Sequence, residues 1–304
     1  MRTVLVGAVE GSRIALDALI AAKLPPALVV TLPLEAAARH SDFADLTTPA
    51  RSCGSAVFHA TNVNAPQTLE AVAAVGPDLV LVLGWSQICK EPFRTMARLG
   101  TVGFHPAPLP RLRGRAVIPW TILRGETTSG STLFWLDEGI DSGPILAQRL
   151  FSLAGEETAR SLYEKHTQNL AAMVPEAVVA VREGTAARVE QDQALASYCA
   201  KRTPEDGLID WAEPAEAILR LMRAVGDPYP GAFSDMNGTR FVIDSAVPFP
   251  HSDRYVGLTG QVQAHTDAGF VVRCGDRRCI EVTAWRGGDG RRPKLHGKFA
   301  RRAS

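Results

Sequence analysis

Short apolar runs alternating with helix-periodic segments restrict the N-terminal part of this 304-residue chain to a layered α/β architecture. Residues 3–7 (TVLVG) read as a buried strand that ends in small residues. Residues 12–23 follow as a helix with Ile14, Leu16, Leu19 and Ile20 on one face. Residues 27–32 form a second apolar run, and residues 33–54 read as loop with a short helix near Thr48. A helix over 67–75 and the pair Pro77-Asp78 lead into LVLVLGW, residues 79–85. Unbroken apolarity of that kind marks a central parallel strand covered on both faces. A further strand is expected over 132–136 and a long amphipathic helix over 156–182.

The pattern changes near Gln191. A loop, RTPEDGLIDW, precedes a helix over 214–224, and GDPYPGAF is a turn cluster. Short β-like runs then recur (FVIDSAV, GLTGQVQAHT, GFVVRCG, CIEVTAW), spaced as in a small all-β barrel. The expected organisation is a Rossmann-like α/β domain over 1–190 with a mostly parallel sheet, a helical linker over 191–235, and a smaller OB-like β domain over 236–304. The tail RRPKLHGKFARRAS is basic and expected to be loose.

Composition removes several classes of function. A net charge of +1 supplies no global field for a polyanion, so nucleic-acid binding would need a local patch. The opening MRTVLVGAVEG is too short an apolar run for a signal peptide, and no stretch reaches membrane-spanning length. A cytoplasmic protein without a membrane partner is expected. Gly7 and Gly11 do not complete a G-x-G-x-x-G dinucleotide fingerprint. The cysteines are five in number and scattered, which fits reduced thiols. Cys274 and Cys279 lack zinc-knuckle spacing and a second pair, so no metal site is expected.

Chemistry concentrates in two segments, GFHPAPLPRLRGRAVIPW (residues 103–120) and LDEGIDSGPILAQ (residues 136–148). His105 falls just past a strand end. An imidazole there suits a proton acceptor. Asp141, from a separate element, could orient the ring and stabilise its imidazolium. Arg113 and Arg115 suit bidentate contact with phosphate. Taken singly, His105 could cap a turn and Asp141 could open one. Together they suit acyl transfer to an amine, which must lose a proton while charge grows on the carbonyl oxygen.

These segments resemble the folate-dependent formyltransferase family, whose members formylate methionyl-tRNA, glycinamide ribonucleotide or nucleotide-linked amino sugars. The family carries H-x-S-L-L-P-x-x-R-G followed by D-x-G. Here His105, Leu109, Pro110, Arg113 and Gly114 match the first pattern, and Asp141 and Gly143 the second. PDLVLVLGW, the RGRAVIPW extension and PYPGAF extend the likeness over most of the chain. The resemblance implies His105 and Asp141 as catalytic residues and 10-formyltetrahydrofolate as co-substrate, with no metal. It places the folate along Gly84, Trp85, Ser86 and Ile88 and near Asp137, with Trp85 suited equally to stacking on the folate and to core packing. It places the acceptor beside Arg113, Gly114 and Arg115. One departure stands out: the family has Asn two residues before the His, as a donor to the formyl oxygen, and this chain has Gly103. Either another donor substitutes, such as a side chain or main-chain N–H near Ser86, or the chemistry is altered.

The acceptor is expected to be a small phosphorylated amine, a nucleotide-linked amino sugar, with tRNA as the second-ranked acceptor. Family members that act on tRNA carry a basic, Gly-rich insertion after the second strand. The matching segment here, LEAAARHSDFADLTTPARS, is neutral to acidic at its centre. Its His40-Ser41-Asp42-Phe43 is similar to the sugar-type members. A homodimer is compatible with the resemblance.

Overall fold

A computed structural model of the chain describes residues 1–39 and 42–300. The chain divides into two compact units. The first comprises Met1–Val117, Thr127–Leu153 and Leu162–Lys201; the second comprises Ile118–Glu126, Ala154–Ser161 and Arg202–Ser304.

The first unit opens with β1 (Thr3–Val6), α1 (Glu10–Ala21), β2 (Leu28–Thr31), α2 (Thr47–Ser52), β3 (Ala56–His59), α3 (Pro66–Val75) and β4 (Leu79–Val82). It continues with α4 (Glu91–Arg94), β5 (Gly100–His105), the two-residue β6 (Arg113–Gly114) and the first residue of α5 (Val117–Leu123). β7 (Thr128–Trp135), β8 (Ile145–Ser152), α6 (Ala159–Glu183), most of which lies in this unit, and the two-residue β9 (Tyr198–Cys199) complete it. Seven strands form one sheet in the order β3-β2-β1-β4-β5-β7-β8. The first five are parallel, and β7 is antiparallel to both β5 and β8. β6 pairs separately with β9.

Apolar alternation along the strands builds two cores. Leu5, Val29, Leu81, Val102 and Leu133 pack with Leu16 and Leu19 of α1 and with Leu170, Val174 and Val178 of α6. Val4, Val6, Val30, Val80 and Val82 pack on the other face with Val72 of α3 and Phe93 of α4. A strand buried on both faces needs apolar residues at every position, which is why TVLV and LVLV read so clearly. The edge strands β3 and β8 are partly exposed and mixed in composition, so no apolar run marks them in the sequence. Residues 34–39 form a 3₁₀ helix where loop is expected. Of the segment that resembles sugar-type members, His40 and Ser41 lie outside the described residues.

The second unit contains α7 (Ala215–Val225), β10 (Ala232–Met236), β11 (Thr239–Phe249), β12 (Val262–His265), β13 (Phe270–Arg273) and β14 (Cys279–Gly287). These strands form an antiparallel sheet in the order β10-β11-β14-β13-β12. Its core is aromatic. Phe299 stacks on Trp211 at 5.3 Å between ring centres and meets Phe241 edge-on at 5.7 Å. The expectation of a loose tail is corrected as far as Ala300. Phe299 is 1% exposed. The N–H groups of Phe299 and Ala300 donate to the carbonyls of Gly260 and Asp235. Charge suggests looseness, but a buried aromatic ring and backbone hydrogen bonds hold the segment down.

Replacing Phe299 by Ala removes the ring common to these contacts. It is expected to destabilise the protein by about 3–5 kcal/mol, read by chemical denaturation.

Candidate active site

His105 is the last residue of β5. Val102 belongs to the α1/α6 core, so by strand alternation Gly103 and His105 face the opposite side. The ring is buried, with Nε2 2.7 Å from the Leu112 carbonyl oxygen. A carbonyl only accepts, so Nε2 carries a proton, and in the neutral ring Nδ1 presents the lone pair. Nδ1 lies 3.5 Å from Asp141 Oδ2. The structure therefore brings together the His and the Asp singled out in the sequence.

Asp141 sits in the loop between β7 and β8 with φ of 50°, in the left-handed region. Its Oδ2 accepts a hydrogen bond from the Gly114 N–H at 2.8 Å. The opposing segment is bent too: Leu112 has φ 59° and Ala116 φ 53°. Non-glycine residues held this way cost energy that surrounding contacts must offset, and such residues cluster at functional sites. Gly114, at φ 101°, has no room for a side chain, since a Cβ there would fall 2.5 Å from the Cys199 carbonyl oxygen.

The turn after His105 is braced from β7 and β8. Thr132, paired with His105, donates its hydroxyl to the Ala107 carbonyl at 2.7 Å. Gln148 Nε2 donates to the Leu109 carbonyl and to Thr132 Oγ1, both at 2.9 Å. Sequence reading gave no role to Thr132, or to Gln148 at the end of the Asp segment, because neither matches the His or Asp pattern itself. Only the strand pairing places them beside it.

Gly84, Trp85, Ser86 and Ile88 lie in the segment between β4 and α4. The pairing of Val82 with Gly103 sets that segment beside the His105 strand. Among the described residues, no hydrogen bond engages the N–H groups of Gly84, Trp85 or Ser86. Gln87 braces the loop: its Oε1 accepts from Val63 N–H at 2.9 Å and from Trp85 Nε1 at 3.3 Å, and its Nε2 donates to the Thr61 carbonyl at 2.6 Å. Ile88 is 71% exposed. Exposed main-chain donors beside apolar surface fit a pterin, whose edge hydrogen-bonds like a base. Asp137 is tied within its own loop, accepting from Gly139 N–H at 3.0 Å with Ser142 Oγ 2.9 Å from both carboxylate oxygens. Burial pushes the neighbouring Cys89 thiol up to about 12, so it stays protonated and is no nucleophile.

The two arginines separate. Arg113, expected at the acceptor, is turned inward and 1% exposed, with its guanidinium bonded to Gln191 and Gln193. Strand β6 and its pairing with β9 force that direction, which periodicity could not show. Arg115 is exposed, and no ion pair engages it among the described residues.

At Gly103 the structure gives a physical reason for the missing side chain. A Cβ there would come within 2.7 Å of Leu136 Cδ2 and 3.1 Å of the Phe134 ring. The space beside His105 that a longer residue would claim is filled with apolar atoms.

A family model described as formyl transferase matches residues 10–178, and one described as formyl transferase, C-terminal domain, matches residues 201–296. The chain belongs to the formyl transferase family. A methionyl-tRNA formyltransferase from Agathobacter rectalis is 32% identical over 259 residues, covering 84% of this chain and 83% of that protein. Two solved structures share the fold at lower identity. HypX from Aquifex aeolicus, in complex with tetrahydrofolic acid, aligns with TM-score 0.68 and 21% identity over 95% of this chain. This chain spans only 44% of HypX. An N-formyltransferase from Helicobacter canadensis, in complex with folinic acid and dTDP-3-aminofucose, aligns with TM-score 0.61 and 17% identity over 93% of this chain and 99% of that one. The chain is thus a formyl transferase, with a Rossmann-like unit followed by an antiparallel β unit. Among the described residues no cluster of three or more His, Cys, Asp or Glu could hold a metal ion, and no helix is long and apolar enough to cross a membrane.

Gly103→Asn, which introduces the family's usual residue, is expected to destabilise this formyltransferase by about 1–3 kcal/mol through overpacking. Leu136→Ala should cost less in that background than in the wild type, a coupling read by a double-mutant cycle in the same denaturation assay.

Proposed function

We propose that this formyltransferase moves a formyl group from 10-formyltetrahydrofolate to the amine of a nucleotide-linked amino sugar. The observation that carries the reading is the approach of His105 Nδ1 to Asp141 Oδ2 within a buried, hydrogen-bonded frame. Bound folate supplies the activated formyl group, whose bond to the folate nitrogen breaks as the bond to the acceptor nitrogen forms, and the proton lost by the acceptor returns through His105 to the released folate nitrogen. His105 takes the proton leaving the acceptor nitrogen at Nδ1, because Nε2 is committed to the Leu112 carbonyl. Asp141 stabilises the imidazolium so formed, and the Gly114 N–H keeps its carboxylate aimed at the ring. The unengaged main-chain donors of Gly84, Trp85 and Ser86 hold the folate, and Ser86 N–H is the candidate donor to the formyl oxygen in place of a side chain at 103.

Two observations support a small anionic acceptor. Arg115 offers an exposed guanidinium directly after the glycine that holds Asp141. The Helicobacter canadensis relative holds a nucleotide-linked amino sugar. In the residues after Lys201, basic and acidic side chains nearly cancel, so that part of the chain has no strong field for a polyanion. The second reading is formylation of methionyl-tRNA, favoured by the Agathobacter rectalis relative. Gly103 motivates a third, a folate- or nucleotide-binding module without turnover.

Purified protein with 10-formyltetrahydrofolate and a panel of amino-sugar nucleotides should yield a product heavier by one formyl group in mass spectrometry. Retention of initiator tRNA at low salt, lost steeply as salt rises, would instead favour the tRNA reading. Folate binding with no product from any amine would favour the third.

His105→Gln and Asp141→Asn are each expected to lower kcat by roughly 10²–10⁴ with thermal stability retained. Wild-type turnover in a folded variant of either would exclude the proton-transfer role.

A further inference from the structure

The three residues Leu112, Arg113 and Gly114 meet the active site at three different points. The Leu112 carbonyl holds His105, and the Gly114 N–H holds the Asp141 carboxylate. Between them, the Arg113 side chain points into the protein. Its Nε and Nη2 donate to Gln191 Oε1 at 3.2 and 2.7 Å. Its Nη1 donates to Gln193 Oε1 at 2.8 Å and to the Tyr198 hydroxyl at 3.3 Å. Among the described residues no carboxylate pairs with this buried cation.

The amide of Gln191 explains why. Its other end, Nε2, donates to the Asp141 carbonyl at 2.9 Å and to the Gly143 carbonyl at 2.7 Å. A guanidinium only donates and carbonyls only accept, so the side chain between them must accept at one atom and donate at another. A glutamate would pair more strongly with Arg113 but has no hydrogen for either carbonyl. Gln191 is 6% exposed, so water cannot readily replace a lost partner. The carbonyl it holds belongs to Asp141, whose left-handed backbone needs external support. Gln191 lies between the two segments matched by the family models.

We propose that Gln191, anchored by the Arg113 guanidinium, is a positioning residue that holds Asp141 in register with His105. This rests on the proposed roles of that pair. Leu112, Arg113 and Gly114 thereby couple ring, carboxylate and loop in one rigid frame, and Arg113 serves the catalytic carboxylate rather than the acceptor.

The test is Gln191→Glu. The variant keeps volume and strengthens the contact to Arg113, but it sets a carboxylate oxygen against the Asp141 and Gly143 carbonyls. Expected are a protein that still folds, with a melting temperature lowered by the unpaired carbonyls, a kcat lower by roughly 10- to 100-fold and an unchanged KM for the folate. Amide exchange at Gly114, whose N–H holds Asp141, should be faster. In an Asp141→Asn background the same substitution should lower kcat by less than about twofold, because the two act through one group. Gln191→Asn, too short to bridge both partners, serves if the first variant does not fold, with the same expected loss of kcat and of Gly114 protection. Unchanged kcat and unchanged Gly114 exchange in a folded variant would overturn the proposal, as would additive losses with Asp141→Asn. Failure of the formyl-transfer reading is separate: wild type would then be inactive, while Gly114 exchange would still report whether Gln191 holds the loop.

Discussion

The hydrogen bond from Gly114 N–H to Asp141 is the contact on which the site depends, because it joins two segments that each carry strained backbone. Without it, the loop between β7 and β8 loses its direct bond to the turn after β5, and the Asp141 carboxylate loses the donor that aims it at His105. The same three-residue stretch also accepts from His105 through Leu112. Ring and carboxylate therefore share one rigid support, and a shift of that support moves both together. Preorganisation of this sort keeps reorganisation out of the chemical step.

The apolar filling at Gly103 changes how charge can be handled beside that support. Leu136 and Phe134 occupy the direction in which a polar side chain would reach. Donors for the reacting group must then come from elsewhere, and the main chain after β4 has unengaged N–H groups on the neighbouring strand. Main-chain donors are fixed by the fold rather than by a rotamer, so the exchange of a side chain for backbone need not cost order. Glycine at 103 and bulk at 134 and 136 are two sides of one packing solution.

The two arginines of the motif illustrate how identical side chains divide their work. A guanidinium can bind phosphate from solvent or satisfy acceptors inside a protein, and the local backbone decides between them. Arg113 lies in a strand pairing that turns it inward onto glutamine oxygens, while Arg115 lies just beyond and faces solvent. The buried cation is tolerated because its acceptors are preplaced. Neutral amides there leave hydrogens available to hold the next layer, the carbonyls of Asp141 and Gly143.

Much of this is legible in the sequence. Strands covered on both faces, such as β1 and β4, must be apolar throughout, so their composition alone locates them. The spacing of His105, Arg113, Gly114 and Asp141 is a property of the chain, and it carried the family likeness correctly. Edge strands β3 and β8 left no comparable mark, since a half-exposed strand tolerates mixed residues. Nor could a linear pattern reveal that Gln191 lies within hydrogen-bond reach of Asp141, that Arg113 points inward, or that Leu136 fills the space at Gly103. Sequence alone determined which groups could do chemistry, because that follows from residue type and local order. Tertiary structure decided which of them meet, because hydrogen bonds between distant segments depend on directions that only the completed fold sets.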